Sequence, residues 1–373
     1  MPDPMHLLPT ADPIPLPAPV WLFKSLSYLT LTLHFAFLSL LLGGLALSLV
    51  WNAWGHLHGT RTVRDASNRV AGVLPMVTTY VINLGIPPLL FVQVLYGRAL
   101  FASSILIGAW WICVVFAVMA AYAVLYRMAS LAKKDLAWWK WGLVALPILA
   151  TVGRLFSANM TLMIHPDRWA ALYVSSSHGA SFPNDPAAWW RWGVVMLSTL
   201  TLGGLCTSLW SLSRTVPPEV RAFLRTWTGI VALVASPALA LAGAMALGAQ
   251  TESVRAALGA SLTVHRLLLG WLSALSLSAL CGLLLFLFRG SRSWILPVVS
   301  TLPALGVLAC FVVVRDQVRD ISLSESGFDV WKSAVHTNWA VVAVFAAALV
   351  AGLATLAWVA SVMRLAAAET KNV

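Results

Sequence analysis

Long apolar runs alternate with short polar breaks along the whole chain. About nine of the runs reach the roughly 20 residues that a helix needs to cross the hydrocarbon core of a bilayer. They cover residues 21–51, 69–97, 101–131, 138–164, 189–213, 222–248, 262–288, 294–314 and 335–363. In lipid every backbone polar group must be satisfied within the fold, and runs of this length do so as helices. The pattern therefore predicts an all-α, polytopic membrane protein. Trp and Tyr mark many of the run ends, as an interfacial belt does.

The polar breaks differ in sign. Odd-numbered loops are basic: Arg61, Arg64 and Arg69 in the first, Lys133, Lys134 and Lys140 in the third, Arg214 and Arg221 in the fifth, Arg289 and Arg292 in the seventh. Even-numbered loops are mixed or acidic, and the eighth is read as holding Arg315, Asp316, Arg319, Asp320, Glu325, Asp329 and Lys332. Basic loops stay in the cytoplasm, so the N-terminus is expected outside and the C-terminus inside. Residues 1–20 are proline-rich and lack a basic leader and a cleavage site, and read as a disordered lead. Residues 21–367 form a single transmembrane domain, and 368–373 a short cytoplasmic tail.

Composition fits this reading. The 373 residues are 60% apolar and 10% charged, too few charges for a soluble domain of that length. The net charge of +11 sits in membrane-flanking loops, which argues against a nucleic-acid partner. Cys113, Cys206, Cys281 and Cys310 fall inside apolar runs and form no CxxC or CxxCH. A zinc site and a covalently attached haem are both disfavoured. No internal repeat, P-loop or hydrolase signature is present.

The polar residues inside the runs are the candidate chemistry. His34 interrupts YLTLTLHFAFLSLLLGGLALSL about 13 residues in from the outer end of its run at Trp21, roughly 20 Å deep at 1.5 Å per residue. A histidine at that depth is costly, faces the bundle interior by default, and is the commonest haem ligand type. The alternative is a histidine satisfied by a neighbouring helix. Arg154 and Asn159 lie in the fourth run, and Gln93 closes the second. Arg154 stays charged and needs a partner: a haem propionate, a quinone oxygen or helix carbonyls. His165, His178, His265 and His336 gather toward the expected outer side. His265 sits roughly 9 Å further out than His34 if both helices stand straight, too far for one iron to take both. Pro87–Pro88 and Pro147 predict bent helices, and Gly43–Gly44 and Gly203–Gly204 predict close helix packing.

The string LTLHFAFLSLLLGG resembles the first helix of subunit I of cytochrome bd quinol oxidases. That family has nine spans with the N-terminus outside, and its first-helix histidine ligates an active-site haem. ANMTLM at 158–163 resembles the family's ANGWMQ-like string, and Arg266 matches an arginine of its seventh span. The resemblance implies a multi-pass subunit of a bacterial inner membrane, with His34 as haem b ligand and quinone as partner. It marks Asn159 and Arg266, with neighbouring His265, as candidate cofactor contacts. The departures are larger. Span five lacks the low-spin haem histidine, Leu268 stands at the methionine position, the acidic pair of span three is absent, and the quinol loop is reduced to a short connector. At most one haem b is expected, and no oxygen reduction.

Three functions remain open on the sequence. The first is a non-oxidase subunit passing electrons between the quinone pool and an outer-face redox protein such as a cytochrome c. The second is a cofactor-free anchor that docks a redox partner. The third is a non-redox transporter, against which stand the lack of inverted halves and of an intramembrane carboxylate.

Overall fold

The computed structural model describes residues 15–175, 179–180, 182 and 184–369; residues 1–14 of the lead, His178 and residues 370–373 of the tail lie outside them. The chain is all-α. Its helices are α1 (Val20–Leu57), α2 (Arg61–Ala71), α3 (Leu74–Leu106), α4 (Gly108–Lys133), α5 (Trp139–Leu162), α6 (Trp169–Ser175), α7 (Pro186–Thr207), α8 (Pro218–Gly248), α9 (Glu252–Ala260), α10 (Leu262–Leu287), α11 (Ile295–Val299), α12 (Thr301–Glu325) and α13 (Trp339–Glu369). Among the described residues, 9 helices or merged helix pairs are long and apolar enough to cross a membrane. The chain is a polytopic membrane protein, as the run lengths predict.

Local chemistry sets several boundaries. Asp185 caps α7, its carboxylate accepting from the Ala187 amide at 2.7 Å, and Pro186 opens the helix where no amide is needed. Ser261 caps α10 in the same way. Pro87 and Pro88 sit within α3, and the backbone leaves helical geometry further on, at Tyr96 (φ −132°, ψ 26°). Successive spanning helices run in opposite directions and leave two polar ends, named here for Lys24 and Asn52.

Small residues decide how closely the helices cross. A Cβ on Gly43 of α1 would overlap the Thr199 carbonyl of α7, and one on Gly203 the Ser39 carbonyl of α1. Gly229 of α8 and Gly282 of α10 meet in the same manner. In lipid, where apolar burial does not drive helix association, this backbone contact is the main source of packing energy. The helix α13 stands apart: none of its described side chains is buried, and Phe345 reaches Phe91 of α3 at 5.7 Å between ring centroids.

Two sequence expectations are corrected. The proline-rich lead is ordered at its end: Leu16 donates to the Ala334 carbonyl at 2.8 Å and accepts from the His336 amide at 2.9 Å. The eighth span does not stop at residue 314. The helix α12 continues to Glu325, so Arg315, Asp316, Arg319 and Asp320 are helical residues and not a loop. Their i, i+1, i+4, i+5 spacing puts them on adjoining faces of one turn, where neighbouring helices supply counter-charges.

Candidate functional site

At the Lys24 end, α12 meets α1 and α3 through a closed set of charges. Lys24, 2% exposed, donates from Nζ to Asp316 Oδ2 at 2.6 Å and Asp320 Oδ2 at 2.5 Å. Tyr28 donates to Asp316 Oδ2 at 2.6 Å, and Arg319 to Asp316 Oδ1 at 3.1 Å. Tyr96, at the break in α3, donates to Asp320 Oδ1 at 2.5 Å, and Trp331 Nε1 to Asp320 Oδ2 at 3.2 Å. Two cations face two carboxylates, and each carboxylate oxygen accepts at least one hydrogen bond. Such a pairing offsets the desolvation of its members only because the geometry is complete. The network puts two buried carboxylates, Asp316 and Asp320, in a helix that the sequence pattern ended at residue 314.

On the other side of α12 the surroundings change. A cavity of about 220 Å³ lies among α7, α8, α10 and α12. That is several times the roughly 30 Å³ share of one liquid water. Its wall is almost wholly apolar, with Trp271 and Phe311 as its aromatic members, and carries three polar side chains: Arg191 from α7, Arg315 from α12 and Gln250 beyond α8. Gly243 gives the Trp271 ring its place, since a Cβ there would stand 2.8 Å from Cη2. Ala244 and Leu272, in the same wall, are exposed. Among the described residues neither Arg191 nor Arg315 has a hydrogen-bond or ion-pair partner. Arg319 is near enough to repel both, and Asp185 and Asp316 are the carboxylates whose fields reach them. Both carboxylates are engaged, Asp185 by Arg168 and Asp316 by the network.

His34 packs against α3. Its Nδ1 lies 3.0 Å from the Val81 carbonyl, and Gly85 admits the ring, because a Cβ there would stand 3.0 Å from Nδ1 and Cε1. A carbonyl can only accept, so Nδ1 carries the proton and Nε2 keeps its lone pair, the arrangement in which an imidazole ligates a metal. His34 is not among the residues that line the cavity. No group of three His, Cys, Asp or Glu able to hold a metal ion stands together among the described residues. The chain joins His34 to the cavity wall: the ring of Phe35 is 5.7 Å from His34 and 5.9 Å from Phe311.

The other candidates from the sequence do not converge on His34. Arg154 is 6% exposed, with its cation 4.2 Å over Trp189 and 4.9 Å over Phe182 and no hydrogen-bond acceptor on any of its three nitrogens. Asn159 is fully buried and donates to Ser104 Oγ at 3.2 Å. Gln93 is half-buried in α3. His265 and Arg266 lie exposed on α10, with His265 Nδ1 2.9 Å from the Ser261 carbonyl. The recorded contacts of these residues share no neighbour.

Sequence reasoning missed Lys24, Asp316, Asp320, Arg191, Arg315 and Gln250. The helical spacing of the α12 charges was the available signal for four charged positions there. Arg191, within WWRW, reads as an ordinary interfacial residue until its neighbours are known. No family model matches the chain, and no curated protein matches it significantly.

Proposed function

We propose that the chain is the quinone-binding membrane subunit of an electron-transfer complex, similar in plan to subunit I of cytochrome bd oxidases but not an oxygen reductase. The basic loops support an orientation with the Lys24 end outside, and the bd-like resemblance supports a bacterial inner membrane. It passes electrons between the quinone pool and an outer-face redox protein such as a cytochrome c. The observation that carries this reading is the cavity walled by Arg191, Arg315 and Gln250. A quinone is an apolar ring and tail with two oxygen acceptors. An apolar pocket with few convergent donors meets both requirements. Guanidinium donors orient the ring oxygens, while Trp271 and Phe311 offer faces to the ring. Haem b at His34, held through Nε2, would supply a one-electron carrier beside the Phe35–Phe311 contact. Asp316 and Asp320 remove one argument against a transporter, but Lys24 and Arg319 neutralise them and they lie outside the cavity wall. They act as a brace.

The test is purification in native lipids, followed by extraction and quantification of bound quinone. The wild-type chain should retain quinone, and an Arg191→Gln, Arg315→Gln double variant should lose most of it. Quinone absent from both, or equal in both, would reject the reading. A reduced-minus-oxidised spectrum examines the haem separately: His34→Ala should abolish any haem band, while His265→Ala should not.

A further inference from the structure

We propose that the cavity selects the anionic form of its ligand: a ring oxyanion, as in a deprotonated quinol or hydroxyquinone, held between Arg191 and Arg315. This rests on the quinone reading of the same cavity and goes one step further, from a ring with acceptors to a ring with a negative charge. The argument is a census of charge. Lys24 and Arg319 are matched by Asp316 and Asp320 within the network. Asp185 is taken by Arg168 and by its role as the cap of α7. His34, the remaining titratable group whose surroundings include Arg315, donates to Val81 and brings no negative charge. Arg191 and Arg315 are left as two positive charges in an apolar wall, repelled by Arg319 as well.

A neutral quinone would satisfy donors but leave both charges uncompensated in a medium of low dielectric. An oxyanion satisfies donors and offsets one of the two charges. The guanidinium donors give charge-assisted hydrogen bonds to either form, and the oxyanion adds attraction between opposite charges in a medium of low dielectric. Gln250, a neutral residue beyond α8, adds a donor without adding to the repulsion.

The experiment uses the full chain in nanodiscs of zwitterionic lipid and follows quenching of tryptophan fluorescence, since Trp271 lines the cavity. Two probes are compared: 1,4-naphthoquinone, which is neutral, and 2-hydroxy-1,4-naphthoquinone, which is an anion at neutral pH. The acidic probe should bind at least about tenfold more tightly, the effect of about 1.4 kcal/mol of added attraction between opposite charges. Its advantage should vanish at a pH where its hydroxyl is protonated, and shrink in Arg315→Gln and in Arg191→Gln. Equal affinity of the two probes in the wild type would overturn the anion preference and leave the quinone reading standing. Failure of both probes to bind would overturn the quinone reading itself. Occupation by phosphatidylglycerol, with neither probe displacing it, would assign the cavity to a lipid headgroup and overturn both.

Discussion

Arg315 and Asp316 are neighbours on α12, yet they belong to opposite kinds of polar site. Asp316 faces α1 and α3, where a lysine, two tyrosines and an arginine close around two carboxylates. Arg315 faces a wall formed with α7, α8 and α10 that is almost wholly apolar and whose other charged side chain is Arg191. The bundle can satisfy a buried arginine: at the Asn52 end, Arg225 donates to Ser211 Oγ and to the carbonyls of Ser291 and Ser293 at 2.7 and 2.8 Å. A complete set of partners fixes helices in register and is a brace. Cations without partners, beside a cavity, lower the stability of the empty fold and are explained by what binds there.

The widest gap between the two sites should appear on removing a partner from the brace. Asp316→Ala strips acceptors from Lys24, Tyr28 and Arg319, and should cost about 3–5 kcal/mol in detergent unfolding followed by fluorescence. A cost below about 1 kcal/mol would show that the network does not hold α12 in place. Tyr96→Phe removes a single donor to Asp320 and should cost about 1.5–3 kcal/mol by the same measurement. At the cavity the sign changes. Arg191→Gln and Arg315→Gln should leave stability within about 1 kcal/mol of the wild type or raise it, because each removes an unpaired charge. A loss like that of Asp316→Ala would erase the distinction between brace and binding site.

The smallest effect concerns acid. Burial, with help from the Arg168 charge, holds the His165 imidazole below its ordinary value. The folded chain then binds fewer protons than the unfolded chain. The stability His165 contributes is present above about pH 6.5 and is lost as pH falls toward its lower folded value. Melting temperature measured between pH 7 and 5 should fall slightly, and His165→Asn should flatten that slope. An unchanged slope would assign the acid response to other groups.

The sequence made the fold legible where length and residue size decide it. Nine apolar runs became nine spans among the described residues, and Gly43 and Gly203 became a backbone contact, because each is a local property with a single geometric outcome. The eighth boundary failed for a physical reason. Charged residues end a span only when they must reach water, and Lys24, more than 290 residues away in the chain, spares α12 that need. The cavity was illegible because its wall draws on four helices and its two arginines look ordinary in isolation. His34 was readable as costly and buried. The resemblance then marked Asn159 and Arg266 as candidate cofactor contacts; Asn159 bonds Ser104, and Arg266 lies exposed on α10.

The most direct measurement is photolabelling of the full chain in native lipid with an azidoquinone, followed by mapping of the labelled peptides. The cavity predicts label in residues 240–250, 268–272 or 311–318, abolished by excess unlabelled quinone and reduced in the Arg191→Gln, Arg315→Gln variant. Competed label confined to the surroundings of Arg154 and Trp189, or no competed label at all, would contradict a quinone site between α7, α8, α10 and α12.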